Sequence, residues 1–181
     1  MKVTNIFDAA RDGTYEQFMK YYSGNVNLIS DNLGMNLLCL TMVNDKNATD
    51  KLKIARFLIS QGIDINFTDK KDGRNALHIF FFNTLKPSIE YLQDITRLLI
   101  DAGININAKD KYDAVPLKYS ITLTKLSTDD MREVYKYLIK SGSDYRHKDA
   151  FGKSCIDYSN EYSWRNSVIE IIKEYEDEHW Q

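Results

Sequence analysis

The segment RLLIDAGININAKDKYDAVPLKYS, residues 97–120, changes character twice within a short distance. Apolar residues at helical spacing end at Gly103, polar and β-branched residues then alternate, and a turn-rich stretch follows. A glycine directly after the last apolar turn is the usual helix stop, because it adopts a left-handed conformation without a Cβ clash. The segment therefore predicts the end of one helix, a short extended arm, and a tight turn that leads into the next helix.

The same succession occurs three times along the chain. ARFLISQGIDINFTDK begins at residue 55, RLLIDAGININAKD at residue 97 and KYLIKSGSDYRHKD at residue 136. The helix-stop residues Gly62, Gly103 and Gly142 lie 41 and then 39 residues apart. A fixed period of this length indicates a repeat protein, in which neighbouring units bury apolar faces that no single unit can bury alone.

A second marker, at the turn, has nearly the same period. It reads DNLG from residue 31, KKDG from 70, DKYD from 110 and DAFG from 149. Its fourth position falls on Gly34, Gly73, Asp113 and Gly152, at intervals of 39, 40 and 39 residues. We expect a positive φ there, which glycine accepts freely and aspartate less readily. The apolar spacing after each turn predicts a short helix, a loop and a longer amphipathic helix.

The segments GRNALH (73–78), AGININA (102–108) and DAFGKSCID (149–157) resemble ankyrin repeats. The resemblance implies an all-α solenoid of stacked helix-turn-helix units with short hairpin loops, forming a single domain over residues 1–181. It divides the chain into an N-terminal capping repeat (1–30), three further repeats (31–68, 69–109 and 110–148) and a C-terminal capping repeat (149–181). Of the family's T-P-L-H motif, only His78 keeps the turn-bracing histidine, with Asn75 in the place of the threonine.

The internal repeats are about six residues longer than the usual ankyrin repeat of roughly 33. The additional residues lie between the two helices of each repeat, within VNDKNATDK, NTLKPSIEYLQ and TLTKLSTDD. We interpret these segments as lengthened helix–helix turns along one edge of the solenoid, where insertions often form binding surfaces. Thr49–Asp50 and Ser127–Asp129 are predicted to cap the helices that follow, and Ser167–Trp180 is predicted to be the closing helix.

Composition and charge narrow the possible functions. The chain carries a formal net charge of −2, with 28% charged residues, and lacks the clustered Lys and Arg that binding to a phosphate backbone requires. No apolar run has the length of a signal peptide or a transmembrane helix. Cys39 and Cys155 lie far apart and outside any CxxC motif, so we expect buried free thiols in a reducing compartment. These features predict a cytoplasmic monomer that binds neither membrane nor nucleic acid.

No residue pattern indicates an active site. His78, His147 and His179 have no metal-ligand spacing among themselves or with either cysteine. The glycine motifs of nucleotide sites and the nucleophile elbow of hydrolases are absent from the sequence. We therefore expect a protein that is not an enzyme and that binds no cofactor and no metal. An active site within the lengthened loops and a nucleic-acid binder are the alternatives.

The ankyrin resemblance implies that a protein partner binds a concave surface made of hairpin tips and inner helices. Phe82 is expected to face this surface, because a short helix buries only about two of the three residues Phe80–Phe82. Tyr112 and Phe151 occupy equivalent turn positions, and the alternative for these aromatic residues is packing within the solenoid. The residues predicted to contact the partner are Leu33, Met35, Lys71, Asp72, Arg74, Phe82, Lys109, Lys111, Tyr112, His147, Phe151 and Lys153.

The sequence thus predicts a non-catalytic protein–protein interaction module. Its richness in Ile, Asn, Lys and Tyr suggests an AT-rich bacterial or viral source. The narrower alternatives are an immunity or antitoxin-like protein that neutralises a bacterial toxin, and an effector that engages a host protein.

Overall fold

The structure is a computed structural model that describes residues 2–84 and 86–179, the last of these by its backbone alone. Within those ranges the regular elements are helical, apart from one antiparallel β-bridge between Ile29 and Asn36. A single 3₁₀ turn, Ser163–Arg165, precedes the final helix. The helices are α1 (Ile6–Asp12), α2 (Tyr15–Tyr21), α3 (Leu37–Thr41), α4 (Ala48–Ser60), α5 (Ala76–Asn83), α6 (Ile89–Asp101), α7 (Pro116–Thr122), α8 (Thr128–Lys140), α9 (Cys155–Glu161) and α10 (Asn166–His179).

The helices form two parallel rows, which confirms the predicted all-α solenoid. The inner helices α1, α3, α5, α7 and α9 each pack on the next inner helix, and the outer helices α2, α4, α6, α8 and α10 do the same. The apolar positions of the outer helices, such as Ile54, Ile95 and Val134, are buried in one continuous core. Both cysteines are buried free thiols. The closing helix ends at His179, and Trp180, its predicted last residue, lies outside the described ranges.

Four tight turns connect the repeats, and their key position has the predicted conformation. Gly34, Gly73, Asp113 and Gly152 have φ values of 62°, 70°, 56° and 73°. Asp113 is therefore held in the left-handed region, where a side chain is normally unfavourable. We name the four turns tip 1 (residues 30–35), tip 2 (69–74), tip 3 (110–114) and tip 4 (149–153), each closed by a main-chain bond between its first and last residues.

Tips 1 and 2 are one residue longer than the sequence markers indicated. Tip 2 closes from the Asp69 N–H to the Arg74 carbonyl, at 2.8 Å, whereas tip 3 closes from Asp110 to Ala114, at 3.2 Å. Asp69, and not Lys70, is therefore the residue that corresponds to Asp110. In tips 1 and 2 the additional residue comes before the positive-φ residue. The positive-φ residues of all four tips therefore keep their regular spacing of 39 or 40 positions.

Asparagines of the extended arms link each repeat to the next. The side-chain oxygen accepts the N–H of the following arm, and in two of the arms the side-chain nitrogen donates to the carbonyl of the next helix-stop glycine. Both groups of the amide are thereby used, which an aspartate or an aliphatic residue could not achieve. The pairs are Asn27 with Asp64 (2.9 Å), Asn66 with Asn105 (2.6 Å) and Gly103 (3.3 Å), and Asn107 with Asp144 (2.7 Å) and Gly142 (2.8 Å).

His78 connects two repeats at the start of α5. Its Nδ1 accepts from the N–H of Asn75 at 3.3 Å, and its Nε2 donates to the carbonyl of Ala114 at 2.9 Å. Asn75 caps the helix through its Oδ1 and uses its amide nitrogen to reach the Asn105 carbonyl, at 2.9 Å. Asparagine in the threonine position therefore supplies the helix cap together with a second bond to the neighbouring repeat. Burial lowers the pKa of His78 to about 4.

The lengthened loops lie at the ends of the inner helices opposite the tips, and one of the predicted caps within them is wrong. Helix α4 begins after Asn47, which has a φ of 53° and makes no side-chain capping bond, so Thr49 and Asp50 lie inside the first turn. Ser127 caps α8 as predicted. Ser88 caps α6 in the same way, by accepting the N–H of Tyr91.

Two buried cations attach the terminal repeats to their neighbours. Lys51 of α4 donates to the carbonyls of Ala10 and Arg11 at the carboxyl end of α1, and burial lowers the pKa of Lys51 to about 7. Arg165 donates to the carbonyl of Ile121 in the last turn of α7 and to those of Thr124 and Leu126 in the loop before α8. Each side chain thus lies at the negative end of a helix and satisfies main-chain carbonyls at that end or in the loop after it.

We expect Arg165→Met to lower the free energy of unfolding by about 3 kcal/mol, because it leaves three carbonyls without their charged donor. Urea denaturation measures this change. The control is Arg132→Met, which removes only a partly exposed pair with Glu174 at 3.3 Å and is expected to cost about 1 kcal/mol or less. Equal losses for the two variants would contradict the role of Arg165.

We expect acid to destabilise the fold through His78. The unfolded-state pKa of histidine is about 6.5, whereas burial lowers the pKa of His78 to about 4. Between these values the unfolded chain binds more protons, so stability is complete above about pH 6.5 and falls towards pH 4, by about 3 kcal/mol from this residue. Urea denaturation across this range is expected to give a shallower pH dependence for His78→Gln than for the wild type. Equal slopes would rule out His78 as the cause.

Candidate functional site

The four tips form a continuous row along one edge of the inner helices. Tips 2, 3 and 4 each donate one main-chain N–H to a carbonyl of the tip before, and these three bonds fix the spacing of the row independently of the side chains. The bonds run from Lys70 to Gly34 (3.1 Å), from Lys111 to Asp72 (2.8 Å) and from Ala150 to Tyr112 (2.8 Å).

Phe82 occupies the position predicted for it at the carboxyl end of α5. Phe80 and Phe81 are completely buried, whereas Phe82 is 36% exposed. The guanidinium of Arg74 lies 3.9 Å from the centre of the Phe82 ring, and the Tyr119 ring contacts the same residue edge-on at 5.6 Å. Phe82 is thus exposed, and the contact of Arg74 with one face of its ring stabilises its position, because a cation over a ring face is an attractive contact.

A charged cluster beneath the row fixes Arg74. Its guanidinium lies 3.2 Å from the carboxylate of Asp72 and 3.3 Å from that of Asp110. The Tyr119 hydroxyl also donates to Asp110. Burial alone would raise the pKa of Asp110, but the hydrogen bonds from Tyr119 and from two main-chain N–H groups outweigh burial and hold this pKa below its usual value.

Tips 2, 3 and 4 are further connected through their side chains. Lys111 forms an ion pair with Asp72 at 2.5 Å, and the hydrogen bond from Lys111 lowers the pKa of this carboxyl. The Lys111 ammonium lies 5.0 Å from the centre of the Tyr112 ring. Tyr112 stacks on Phe151, with ring centres 6.1 Å apart. A chain of contacts therefore extends across the row from Phe82 to Phe151.

A groove lies between tips 1 and 2 and the inner helix α5. It brings together the predicted residues from the first half of the chain, which are separated by nearly fifty positions in sequence. Several other residues, including Lys70 and Ile79, line the same groove. The predicted residues that line it are Leu33, Met35, Lys71, Asp72, Arg74 and Phe82.

The remaining predicted residues lie at or near tips 3 and 4. Lys109 pairs with Asp113 at 3.3 Å, and Lys153 pairs with Glu161 at 2.6 Å. His147 lies below the tip and not on it, because its Nε2 donates to the carbonyl of Asp113 at 2.9 Å and its side chain is mostly buried. His147 thus connects two repeats, and its contact with a partner stays a prediction.

Several residues that support the row were not selected from the sequence. Tyr119 donates to Asp110 and Tyr158 donates to Asp149, in each case across nine positions. The recurring Asp–Tyr separation in DKYDAVPLKY and DAFGKSCIDY is the signal that could have revealed these pairs. The ammonium of Lys118 lies between the two tyrosine rings, 4.6 Å from the centre of the Tyr119 ring and 5.4 Å from that of Tyr158.

Trp164 is a further exposed aromatic residue that the sequence analysis did not select. It is 59% exposed and lies beside the loop 122–127, and the centre of its ring is 4.9 Å from that of Tyr162. This position is at the end of α7 opposite the tips, so Trp164 does not belong to the row. The other repeats have no tryptophan at the equivalent position, so the repeat pattern of the sequence did not draw attention to Trp164.

The described part of the chain contains no group of three or more His, Cys, Asp or Glu side chains that could hold a metal ion. Within the same residues, every helix is too short or too polar to cross a membrane. The row itself presents ion pairs and exposed rings.

Stacked helix pairs that present one row of tips define a helical repeat protein. A family model described as ankyrin repeats, in three copies, matches residues 47–149, which is more than half of the chain. The chain belongs to the ankyrin-repeat family. Members of this family are generally protein–protein interaction modules and are typically non-catalytic. No curated protein matches the sequence at a significant level.

We expect Tyr119→Phe to raise the pKa of the Asp110 carboxyl, because it removes the hydroxyl that donates to the charged form. Carbon-detected NMR titration of the aspartate side chains measures this change. Tyr158→Phe is the matched control, since its hydroxyl donates to Asp149 at 2.7 Å and not to Asp110. An unchanged Asp110 titration in Tyr119→Phe would show that other contacts control the carboxyl.

Proposed function

We propose that this protein binds a protein partner on the concave face formed by the tip row and the inner helices. The observation that carries this proposal is the series of exposed apolar side chains along the row. Leu33 is 41% exposed in tip 1, Tyr112 37% in tip 3 and Phe151 63% in tip 4, and Phe82 supplies a fourth from α5. Exposed apolar side chains grouped on one face favour an interaction surface over solvent contact alone.

The aromatic members of the row have the properties of binding anchors. Binding energy at protein interfaces is concentrated in a few aromatic and arginine residues that are enclosed when the partner binds. Phe82 and Tyr112 are held by Arg74 and Lys111, and Phe151 by its stack on Tyr112. Rings that are already ordered lose little conformational freedom on binding, which leaves more of the contact energy available for affinity.

The charged residues of the surface support a partner that is itself a folded or peptide-like protein. Lys109, Lys111 and Lys153 each face a carboxylate of this chain, so most of the positive charge at tips 3 and 4 is paired, which disfavours a polyanion as the partner. The pairs of Lys109 and Lys153 are well exposed and contribute little stability. We propose that they guide the orientation of the partner, together with Lys71, Asp72 and His147.

The narrower functions depend on which partner is bound. An immunity or antitoxin-like protein would bind a toxin, and an effector would bind a host protein, through the same concave face. We propose that the protein acts as a monomer in the cytoplasm in either case, without catalysing a reaction. A toxin gene adjacent to that of this protein would favour the immunity function.

We expect the double substitution Tyr112→Ala and Phe151→Ala to weaken partner binding by about tenfold or more, because it removes two exposed anchors from the row. The partner is first captured with the wild-type protein from a lysate of the source organism. Isothermal titration calorimetry with the purified partner then gives the affinity of each variant.

The control is Trp164→Ala, which truncates a similarly exposed aromatic residue at the opposite end of the inner helices. We expect this variant to keep the wild-type affinity. Equal affinity of the wild type and the double variant, or a loss confined to Trp164→Ala, would place the binding surface elsewhere.

A further inference from the structure

We infer that the groove between tips 1 and 2 accepts a partner segment in which a bulky apolar side chain lies next to an aspartate or glutamate. This inference rests on the proposed function, because it names the kind of segment that one part of the concave face would recognise. It depends on three properties of the groove: its apolar walls, the fixed position of Phe82, and the distribution of unpaired charge.

The walls of the groove are apolar and accessible. Leu33 of tip 1 and Phe82 of α5 are both exposed, and Met35 is partly buried against the core. Ile79, one helical turn before Phe82, is buried and forms the base. An apolar side chain inserted among these residues would remove its own surface and theirs from water, which favours binding.

The position of Phe82 is fixed before any partner binds. Arg74 lies against one face of the ring at 3.9 Å, and Arg74 is itself held by carboxylates on two successive tips. A ring supported in this way cannot easily turn into the groove and fill it. The groove therefore stays open to a side chain from outside.

The carboxylates of tip 2 are already engaged within this chain. Asp69 accepts the N–H groups of Lys71, Asp72 and Arg74, at 2.8–2.9 Å. Asp72 accepts charge-assisted contacts from Arg74 and Lys111. Asp72 is thus paired with two cations of this chain, and the buried Asp69 carboxylate is engaged by main-chain N–H groups of its own tip.

Two lysines on the rim have no such partner. Lys70 and Lys71 are exposed, and neither forms an ion pair with any carboxylate in the described part of the chain. Asp31 is the remaining acidic residue that lines the groove, and it forms no ion pair with either lysine. Among the exposed charges of the rim that form no ion pair, the two lysines outnumber Asp31, so a carboxylate next to an apolar side chain would find two ammonium groups free to pair with it.

Selection from a random linear peptide library displayed on phage, with the intact protein as bait, tests this inference. We expect the enriched peptides to pair Leu, Ile, Met or an aromatic residue with Asp or Glu within a few positions. Synthetic copies are then titrated against variants. Phe82→Ala and the double substitution Lys70→Ala and Lys71→Ala are each expected to weaken binding by about tenfold.

Charge reversal gives a gain-of-function readout that does not depend on loss of binding. Lys70→Glu with Lys71→Glu is expected to enrich peptides that carry Lys or Arg in place of the acidic residue. Lys53→Ala is the matched control, because Lys53 is an exposed lysine on α4, outside the groove. Thermal unfolding of every variant confirms that the fold is retained.

The outcomes separate this inference from the proposed function. One outcome is that the peptides lack acidic residues and bind the groove variants as tightly as the wild type, but no longer bind Tyr112→Ala with Phe151→Ala. This outcome would overturn the inference and support binding on the concave face. Peptides that ignore both sets of substitutions would overturn both. Failure to enrich any peptide would also overturn the inference, since a pre-formed groove should select its segment from such a library.

Discussion

No helix pair in the described part of the chain is large enough to bury its own apolar faces, and this constraint governs the rest of the structure. Each inner and outer helix must pack on the next one, so the repeats lie in register and their equivalent residues form rows. The asparagine bridges and the main-chain bonds between tips follow the same spacing. A surface that extends along the solenoid is thus a direct consequence of how its core is formed.

Polar contacts attach the first and the last repeat of the described chain to their neighbours. Lys51 and Arg165 each carry their charge into a buried position to reach carbonyls across a repeat boundary. Removing a charged group from water is unfavourable unless its hydrogen bonds are replaced, and here main-chain carbonyls replace them. Arg165 also holds the lengthened loop that follows α7, through the carbonyls of Thr124 and Leu126.

The parts of the structure that depend on local geometry could be predicted from the sequence. The glycine spacing gave the repeats, and the pattern of three phenylalanines identified Phe82 as the exposed one, because these features follow from φ preferences and helix periodicity. The start of α4 was missed, since Asn47 begins the helix in a left-handed conformation without a capping side chain. Such a start has no sequence signature.

Contacts between repeats could not be predicted in the same way. Arg165 acts on carbonyls about forty positions away, and nothing in its immediate sequence distinguishes it from an exposed arginine. Arg74 is largely buried and lies against the ring of Phe82, which its sequence position did not indicate; its contact with a partner stays a prediction. The residues that organise this surface are mainly charged side chains whose partners lie in another repeat.

The stack of Tyr112 on Phe151 gives the row of tips a direction. Phe151 of tip 4 is 63% exposed, whereas Tyr112 of tip 3, which stacks on it, is 37% exposed. The opposite end of the row begins with the aliphatic Leu33 and the groove beside it. The two ends therefore differ in chemistry. A partner segment that binds along the row in one direction makes different contacts from the same segment bound in the opposite direction.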